Sequence, residues 1–528
     1  MGRSFCSVRL TNPARTFKLE RVREKTTCAG GFRLPACVGL LARQLLVMVL
    51  PFRGGGIARL LEFMDPQPRS PSLVIALVPV AVVMTVLALA ILLLDASAHL
   101  PLILGSAVVV MIGLRLGHDW KTLQEGMVRG ISIGIPSILI LLAIGLLVGS
   151  WLVSGVVPLL ISYGLRLLAP EIFLVASCLI CALVSVVTGS SWTTAGTIGV
   201  ALIGVAEGLG ISTAMTAGAI VSGAYFGDKL SPLSDTTNLA AGVAGVPLFE
   251  HIRHMLWTTI PSIAIALGAY ALLGIGAGGD PKIGEITALL EAMSENFILS
   301  PVLLIAPLSV IICLFLRVPA LGAILVGGLM GVILALTVQG VPAGEVVAVL
   351  ENGHAPGTGV VRLDELLSGG GLESMYWTIG LVLCALSFGG LMESTGMLRV
   401  IVEAVIRGAV STGRLVVATL ASSLGVNLVA ADQYLSIILP GRMYKDVYGE
   451  AGVDPRNLSR CLEDGGTITS PLIPWNTCGA TMLGALKVGP HLFAPFAFFN
   501  LLCPLVSVVL GFTGVGMRRT RHVGDRQG

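Results

Sequence analysis

Long apolar stretches separated by short polar segments dominate the chain from residue 72 to residue 514. A helix needs about 20 mostly apolar residues to cross a bilayer. Stretches of that kind predict membrane spans at 72–94, 100–117, 131–153, 213–245, 255–276, 298–316, 319–338, 375–393, 456–488 and 491–514. The pattern therefore predicts an all-α polytopic membrane protein.

Two further apolar segments, 171–210 and 414–440, are interrupted by polar residues near the middle. The first is interrupted at 189–194 and the second around Asn427 and Asp432. Each half of the second segment has only about a dozen residues, which is too short to cross a bilayer alone. We predict that both segments are re-entrant helical hairpins.

The distribution of lysine and arginine predicts the orientation, because cytoplasmic loops carry the excess of these residues. Loops 277–297 and 339–374 are acidic and should lie outside, whereas 441–460 and the tail 516–528 are basic and should lie in the cytoplasm. These assignments agree with one another only if the second hairpin returns to the side from which it entered.

A short motif indicates an internal repeat. Ser-Pro-Leu at 231–233 recurs at 470–472, an offset of 239 positions. Each half then has five crossings, one re-entrant hairpin and one broken helix, and the odd number of crossings gives the halves opposite orientations. We predict inverted repeats at 64–276 and 298–515, joined by the external loop 277–297. Such repeats are typical of secondary transporters, with the binding site between them near the bilayer midplane.

The composition supports this prediction and excludes several other classes. Apolar residues make up 55% of the chain and charged residues 12%, against about 25% charged residues in soluble proteins. A net charge of +3 gives no reason to expect nucleic acid as a partner. Metalloprotease, phosphate-loop and serine-hydrolase motifs are absent from the sequence. We therefore expect no enzymatic activity and no cofactor.

The first 63 residues differ from the rest, with eleven lysines and arginines against three acidic residues. Met64 opens a short polar segment that leads directly into the first predicted span. We interpret residues 1–63 as a basic leader that is either disordered or the product of a misassigned start, and we expect it to make no packed contact with the membrane repeats.

Two carboxylates and a lysine lie within the otherwise apolar segment 213–245. A charged residue at the centre of a membrane helix costs about 2.5–3.5 kcal/mol on insertion scales, so such residues indicate function. Pro232 removes a backbone donor and should break the helix, and a broken helix exposes carbonyl oxygens that can coordinate a cation. The candidate ligands here are Asp228, Ser231, Ser234, Asp235, Thr236 and Asn238.

The corresponding segment of the second half offers Asn476 and Thr477, so that an amide stands opposite Asp235. The hairpins add Ser190, Ser191, Asn427 and Asp432, although serine hydroxyls in membrane helices often bond only to their own backbone. Glu463 is interpreted as part of a solvated loop. For Asp464, a loop position and a site position stay open.

The stretches GDKLSPLSDTTNLA at 227–240, TGSSWTTAGTIG at 188–199 and TSPLIPWNTCGA at 469–480 resemble the NhaC family of Na⁺/H⁺ antiporters. The resemblance covers about 72–515 and implies the ion-transporter fold, with amphipathic arms at 155–170 and 396–411. It also implies a multi-pass protein of the bacterial inner membrane in which hairpin tips and helix breaks bind the cation. Transporters of this kind often form homodimers.

The predicted function is exchange of Na⁺ for H⁺ across the lipid bilayer. Na⁺ is expected at Asp228 and Asp235, with Asp432 as a third carboxylate, and Lys229 is expected to neutralise one of the first two. The alternative is a Na⁺- or H⁺-coupled exchanger of small organic acids such as malate and lactate. A channel would need a continuous polar pore, which the pattern does not provide.

Overall fold

A computed structural model describes residues 68–94, 98–167, 169–277, 283–316, 318–407 and 411–519. Within these ranges the regular structure is helical apart from two isolated β-bridges. Eight helices are long and apolar enough to cross a membrane, or up to ten if two sharply bent pairs are each counted as one span. The prediction of an all-α polytopic membrane protein is confirmed for the described residues. The leader 1–63 lies outside them.

The first half of the chain contains three long helices, a short helix, a helical pair, a broken helix and a closing helix. In order these are α1 (Leu73–Leu94), α2 (His99–Leu116), α3 (Trp120–Val153), α4 (Val156–Leu167), α5 (Pro170–Thr188), α6 (Ser191–Leu209), α7 (Thr213–Leu230), α8 (Asp235–Ala244) and α9 (Leu248–Ala277).

The second half begins with a connecting helix and follows a similar order, with two further short helices inserted. Its helices are α10 (Ile283–Asn296), α11 (Ile305–Phe315), α12 (Ala320–Thr337), α13 (Ala343–Asn352), α14 (Val361–Leu367), α15 (Glu373–Ser394), α16 (Met397–Ile406), α17 (Thr412–Ala430), α18 (Gln433–Glu450), α19 (Pro455–Leu462), α20 (Thr477–Leu486) and α21 (Phe498–Thr513).

Three of these short helices, α10, α13 and α14, lie in segments that the sequence analysis treats as loops. They are shorter than a span and carry several acidic residues, so an apolar-length criterion passes over them. Each nevertheless buries apolar side chains on one side, such as Met293 of α10, Val346 of α13 and Leu363 of α14. Amphipathic packing rather than membrane crossing therefore explains why they are helical.

The two helical pairs, α5–α6 and α17–α18, share the same junction. Gly189 and Ala431 end the first helix of each pair in the left-handed conformation, with φ of 66° and 57°. Ser190 and Asp432 follow and cap the second helix with a side-chain oxygen. Each junction lies at a polar interruption that the sequence analysis identified.

The second pair is longer than the sequence analysis assumed. Helices α17 and α18 have 19 and 18 residues, not about a dozen each, and α17 is long and apolar enough to cross a membrane. Helix α17 is longer because it continues past Asn427 to Ala430. Helix α18 is longer because it continues past the apolar stretch through Arg442 and Lys445, which favour helix without being apolar. The re-entrant path of this segment stays a prediction.

Both broken helices resume at a capped N-terminus. Ser234 accepts a hydrogen bond from Thr237 N at the start of α8, and Asn476 accepts one from Cys478 N at the start of α20. In the second half, a π-helical turn at Glu463–Thr467 and a 3₁₀ turn at Ser470–Leu472 precede the cap.

The caps define how the two halves correspond. Ser190 and Asp432 lie 242 positions apart, and so do Ser234 and Asn476. Asn476 therefore corresponds to the cap Ser234, one residue away from the Asp235 that the sequence analysis set opposite it. The Ser-Pro-Leu offset of 239 is shorter because the second half has additional residues between that motif and its cap.

Helices α3 and α15 cross closely and run antiparallel. A side chain at Gly126 would meet Ser394, and one at Gly134 would meet Leu386. Small residues at such a crossing let two membrane helices approach closely.

The closest approach gives a test of this packing. A Cβ at Gly130 would lie 2.3 Å from the carbonyl oxygen of Leu386 and 2.9 Å from the Cα of Gly390. Gly130→Ala should therefore force the helices apart and lower the free energy of unfolding by about 1–3 kcal/mol. Thermal unfolding of the purified protein in detergent measures this loss.

Gly268→Ala in α9 is the matched control, because among the described residues no atom outside the backbone of α9 itself lies within 4 Å of a Cβ placed there. This substitution should leave the unfolding temperature unchanged or raise it, since alanine favours helix over glycine by about 1 kcal/mol. Equal unfolding temperatures for both variants would contradict the proposed contact between α3 and α15.

Candidate functional site

A cavity of about 340 Å³ lies where the tip of the first helical pair meets the first helix break and the start of α18. We call it the central cavity. Its polar lining residues are Thr188, Ser190, Ser191, Asp228, Asp235, Gln433 and Tyr434. Apolar side chains, including Ile140, Val318 and Pro319, complete the wall. The cavity therefore joins two carboxylates from one broken helix with residues of both halves.

Asp228 lies near the end of α7 and is only 5% exposed. Its Oδ2 accepts hydrogen bonds from the backbone N–H of Ser191 at 3.1 Å and from the Ser191 hydroxyl at 2.7 Å. Ser191 opens α6, and a helix N-terminus stabilises a nearby negative charge. The second oxygen, Oδ1, is buried without a hydrogen-bond partner among the described residues. Oδ2 of Asp228 is thus held by Ser191, whereas Oδ1 is available to bind an ion.

Asp235 is the second carboxylate of the central cavity and, unlike Asp228, is exposed. Its Oδ1 accepts the backbone N–H of Thr236 at 2.9 Å. Its Oδ2 accepts the hydroxyl of Tyr434 from α18. This contact joins the first broken helix to the second helical pair. A movement of either element would therefore change the hydrogen bonding of the Asp235 carboxylate.

The other predicted ligands of the first half bond mainly to nearby residues. Ser190 accepts the N–H of Thr193 and lines the cavity, whereas Ser231 accepts the N–H of Leu233. The hydroxyls of Ser234 and Thr236 lie 3.1 Å apart. These side chains stabilise the helix ends at the tip of the first helical pair and at the first break, as serine and threonine commonly do.

The predicted ligands of the second half form a separate group, the amide cluster. Asn476 Nδ2 donates to Asn427 Oδ1 at 3.1 Å, and Asn427 Nδ2 donates to the carbonyl of Gly466 at 2.6 Å. The backbone N–H of Thr477 donates to the carbonyl of Ala431 at 2.9 Å. The cluster therefore ties the tip of the second helical pair to the second helix break.

Two predicted residues stand apart from these groups. Asp432 is 1% exposed, and it accepts the N–H of Leu435 with one oxygen while the other has no partner in the described chain. Asn238 lines a different cavity together with Arg442 and Lys445. The structure thus brings Asp228 and Asp235 to one cavity, whereas Asp432 and Asn238 are not among the residues that line it.

The ion-pair partner of Lys229 differs from the one that the sequence analysis predicts. It pairs with Asp464, and neither side chain has any exposed surface. Its ammonium group also donates to the Thr258 hydroxyl at 3.2 Å and approaches Cys503 Sγ at 3.0 Å. The expectation that Lys229 neutralises Asp228 or Asp235 is therefore wrong, because its charge is compensated across the two halves.

Glu463 also differs, because it is fully buried rather than part of a solvated loop. The sequence contained a signal for these residues, since charged side chains precede the Ser-Pro step at both breaks. Tyr434 gave no such signal, because an aromatic residue in an apolar helix is usually a packing residue.

The fold and these sites define the chain as a polytopic membrane protein with polar sites at two helix breaks. The sequence profile of the Na⁺/H⁺ antiporter family matches residues 223–515. The chain is 41% identical to the Na⁺/H⁺ antiporter NhaC of Alkalihalophilus pseudofirmus over 448 residues, which cover 85% of this chain and 97% of that protein. The chain belongs to the Na⁺/H⁺ antiporter family, and the resemblance drawn from its motifs is confirmed.

Other relatives have different substrates in their names. The arginine/ornithine antiporter ArcD of Halobacterium salinarum is 40% identical over 458 residues, covering 86% of this chain and 94% of that protein. The malate-2H⁺/Na⁺-lactate antiporter of Bacillus subtilis is 37% identical over 422 residues, covering 80% of this chain and 90% of that protein.

The Lys229–Asp464 pair generates a stability prediction. Removing one partner of a buried ion pair costs about 3–5 kcal/mol, because a buried charge is left uncompensated. Lys229→Met and Asp464→Leu should each lower the thermal unfolding temperature in detergent. The double variant should recover most of the loss, since replacing both partners by apolar residues is often nearly neutral. Additive losses in the double variant would show that the pair is not coupled.

Proposed function

We propose that the central cavity is the site at which this antiporter exchanges Na⁺ for H⁺, with Asp228 and Asp235 as the groups that bind both ions. One observation carries the proposal: two carboxylates of a single broken helix line one cavity, and Asp228 keeps a buried oxygen without a partner among the described residues. Carboxylate, hydroxyl and carbonyl oxygens are the ligands that hard cations prefer. The hydroxyls of Ser190 and Ser191 are further candidate ligands at the same cavity.

Exchange follows from competition for these carboxylates. A buried carboxylate is stable when it binds a proton or a cation, and its bare charge is costly in a low-dielectric site. A proton that arrives from one side displaces Na⁺, and Na⁺ from the other side displaces the proton. No second pathway is required, because the same oxygens serve both ions.

We further propose that the halves 64–276 and 298–515 are inverted repeats in a bacterial inner membrane, with 277–297 outside and 516–528 in the cytoplasm. The corresponding helices α3 and α15 run antiparallel, as this arrangement requires. The equal 242-residue separation of both pairs of caps supports the same arrangement. The contact of Tyr434 with Asp235 is consistent with a site between the two repeats.

In this arrangement the amide cluster is the counterpart of the first break. Asp432 caps α18 directly before Gln433, which lines the central cavity. Its second oxygen, buried and without a partner in the described chain, supports its proposed role as a third carboxylate for the cation. Asn427, Asn476 and Thr477 supply oxygens without further negative charge, which suits a monovalent ion.

Coupled exchange of small organic acids is the second candidate. The central cavity is larger than a bare cation requires, and its wall includes the N-terminal turns of α6 and α18. Helix N-termini bind substrate carboxylates in transporters. The relatives described above include a Na⁺/H⁺ antiporter and two antiporters that are named for organic solutes.

Neutral substitutions test the two carboxylates. Asp235→Asn should abolish Na⁺-driven proton movement in vesicles, and Asp228→Asn should do the same or shift the pH profile, while both proteins still insert. Asp119→Asn is the matched control, because asparagine is as good a helix cap as aspartate and Asp119 caps α3 away from the cavity. Normal exchange by Asp235→Asn would contradict the proposed role of that carboxylate.

Substrate choice can be tested in the same vesicles. With Na⁺ alone on one side, the protein should collapse a pH gradient, because the carboxylates of the cavity bind Na⁺ and H⁺ in competition. Proton movement that requires added malate or lactate would favour the second candidate instead. Vesicles without the protein provide the background.

A further inference from the structure

We propose that Glu463 is a second proton-binding carboxyl group of the transport cycle, separate from Asp228 and Asp235. This inference rests on the proposed Na⁺/H⁺ exchange and concerns how many protons move with each cation. The observation behind it is a carboxyl group at a helix break that is completely buried and has no hydrogen-bond partner within the described part of the chain.

The position of Glu463 follows from the local fold. Helix α19 passes into the π-helical turn Glu463–Thr467 before the chain reaches the second break. Single π-turns within α-helices are rare and frequently occur at functional sites. The turn points its first residue into the protein interior, where Glu463 has no exposed surface. Solubility does not explain a glutamate at a fully buried position, so a functional role is expected.

Neither oxygen of Glu463 is paired. Both Oε1 and Oε2 lack a hydrogen-bond partner within the described ranges. The hydroxyl of Thr467, one turn further on, is also without a hydrogen-bond partner in the described chain. An ionised carboxylate in these surroundings would be uncompensated, and such a group takes up a proton instead.

The buried cation Lys229, on helix α7 that packs against the turn, does not provide the missing charge. The ammonium group of Lys229 is already bonded to Asp464, Thr258 and Cys503. The lysine and Asp464 neutralise each other, so Glu463 stays a single acid beside a neutral pair. Neutral Glu463 is the protonation state that these contacts allow.

The surrounding elements contribute few other charges. Helix α7 contributes Asp228 and Lys229, the π-turn contributes Asp464, and α8 contributes the more exposed Asp235. On the remaining helices packed against the turn, the buried titratable or charged side chains are Tyr444 and Tyr448 of α18, Arg460 and Cys461 of α19, and Cys503 of α21. Helix α9, whose Thr258 bonds to Asp464, adds the buried His251 and His254. The acidic neighbours disfavour a negative charge on Glu463, and the Arg460 guanidinium bonds instead to Gly516 O and Met517 Sδ.

The same turn contacts both candidate ion sites, and this gives the proton a role in the cycle. The carbonyl of Gly466 accepts a hydrogen bond from Asn427, which in turn binds Asn476 of the amide cluster. Helices α7 and α8, which carry Asp228 and Asp235 of the central cavity, also pack against the turn. A positive ion that enters either site lowers the cost of ionising Glu463, because opposite charges attract. Cation binding should therefore release the Glu463 proton.

The test compares wild type with Glu463→Gln, which mimics the protonated acid in shape and charge. The glutamine variant should unfold at the wild-type temperature, whereas Asp464→Asn should unfold at a lower one because Lys229 loses its counter-ion. Infrared spectra of the purified protein at neutral pH should contain the carbonyl band of a protonated carboxylic acid, and Glu463→Gln should lose a component of it. Glu403→Gln on the partly exposed arm α16 is the matched control and should keep the band.

A transport measurement determines whether this proton moves. The reversal potential in proteoliposomes with set Na⁺ and pH gradients gives the number of protons per Na⁺. Glu463→Gln should move one proton fewer per Na⁺ than wild type and Glu403→Gln. If the variant is inactive, proton release on Na⁺ addition to the purified protein gives the same comparison, with one proton fewer expected.

The outcomes separate the two proposals. An unchanged acid band in Glu463→Gln, or an unchanged proton count, would overturn the role of Glu463. Absence of Na⁺-driven proton movement by wild type would instead refute the proposed exchange, while the infrared band would still report whether Glu463 is protonated.

Discussion

A helix that breaks within an apolar bundle must find partners for its free backbone groups, and this requirement determines the centre of the protein. Each unpaired donor or acceptor in a water-free interior costs several kcal/mol. Four side chains supply the acceptors at the four helix starts: Ser190, Ser234, Asp432 and Asn476. These caps make two helix breaks and two helical pairs possible. They also place helix N-termini where a carboxylate such as Asp228 is stabilised.

The acidic side chains at the two helix breaks have different partners. At the first break, Asp228 and Asp235 receive hydrogen bonds from Ser191 and Tyr434, which leave capacity for an ion. At the second break, Asp464 is neutralised by Lys229 from the other half. The ion pair fixes the relative position of the breaks, while the carboxylates of the cavity stay available. The ion pair thus forms part of a stable framework around the central cavity, whose carboxylates can gain or lose a proton.

The order of the helices could be predicted from apolar length, and the breaks from proline and charge within apolar stretches. The resemblance to the antiporter family rested on motifs at those breaks. The partner of Lys229 could not be predicted, because Asp464 lies 235 positions away and only the fold brings them together. Glu463 was misjudged for a related reason: nearby basic residues suggested a solvated loop. Tyr434 reaches Asp235 only through the packing of α18, which no local pattern reveals.

In the proposed mechanism, Na⁺ and H⁺ compete for the carboxylates of the central cavity. Calorimetry of Na⁺ binding to the purified protein at several pH values measures this competition. Competition with one proton predicts an apparent Kd that rises by about tenfold for each unit of pH decrease over the range in which the site is protonated, and a steeper rise where the Glu463 proton is released as well. Proton release on Na⁺ binding should be smaller in Asp228→Asn than in wild type. An affinity for Na⁺ that does not change with pH, or proton release by that variant equal to that of wild type, would contradict the proposed competition.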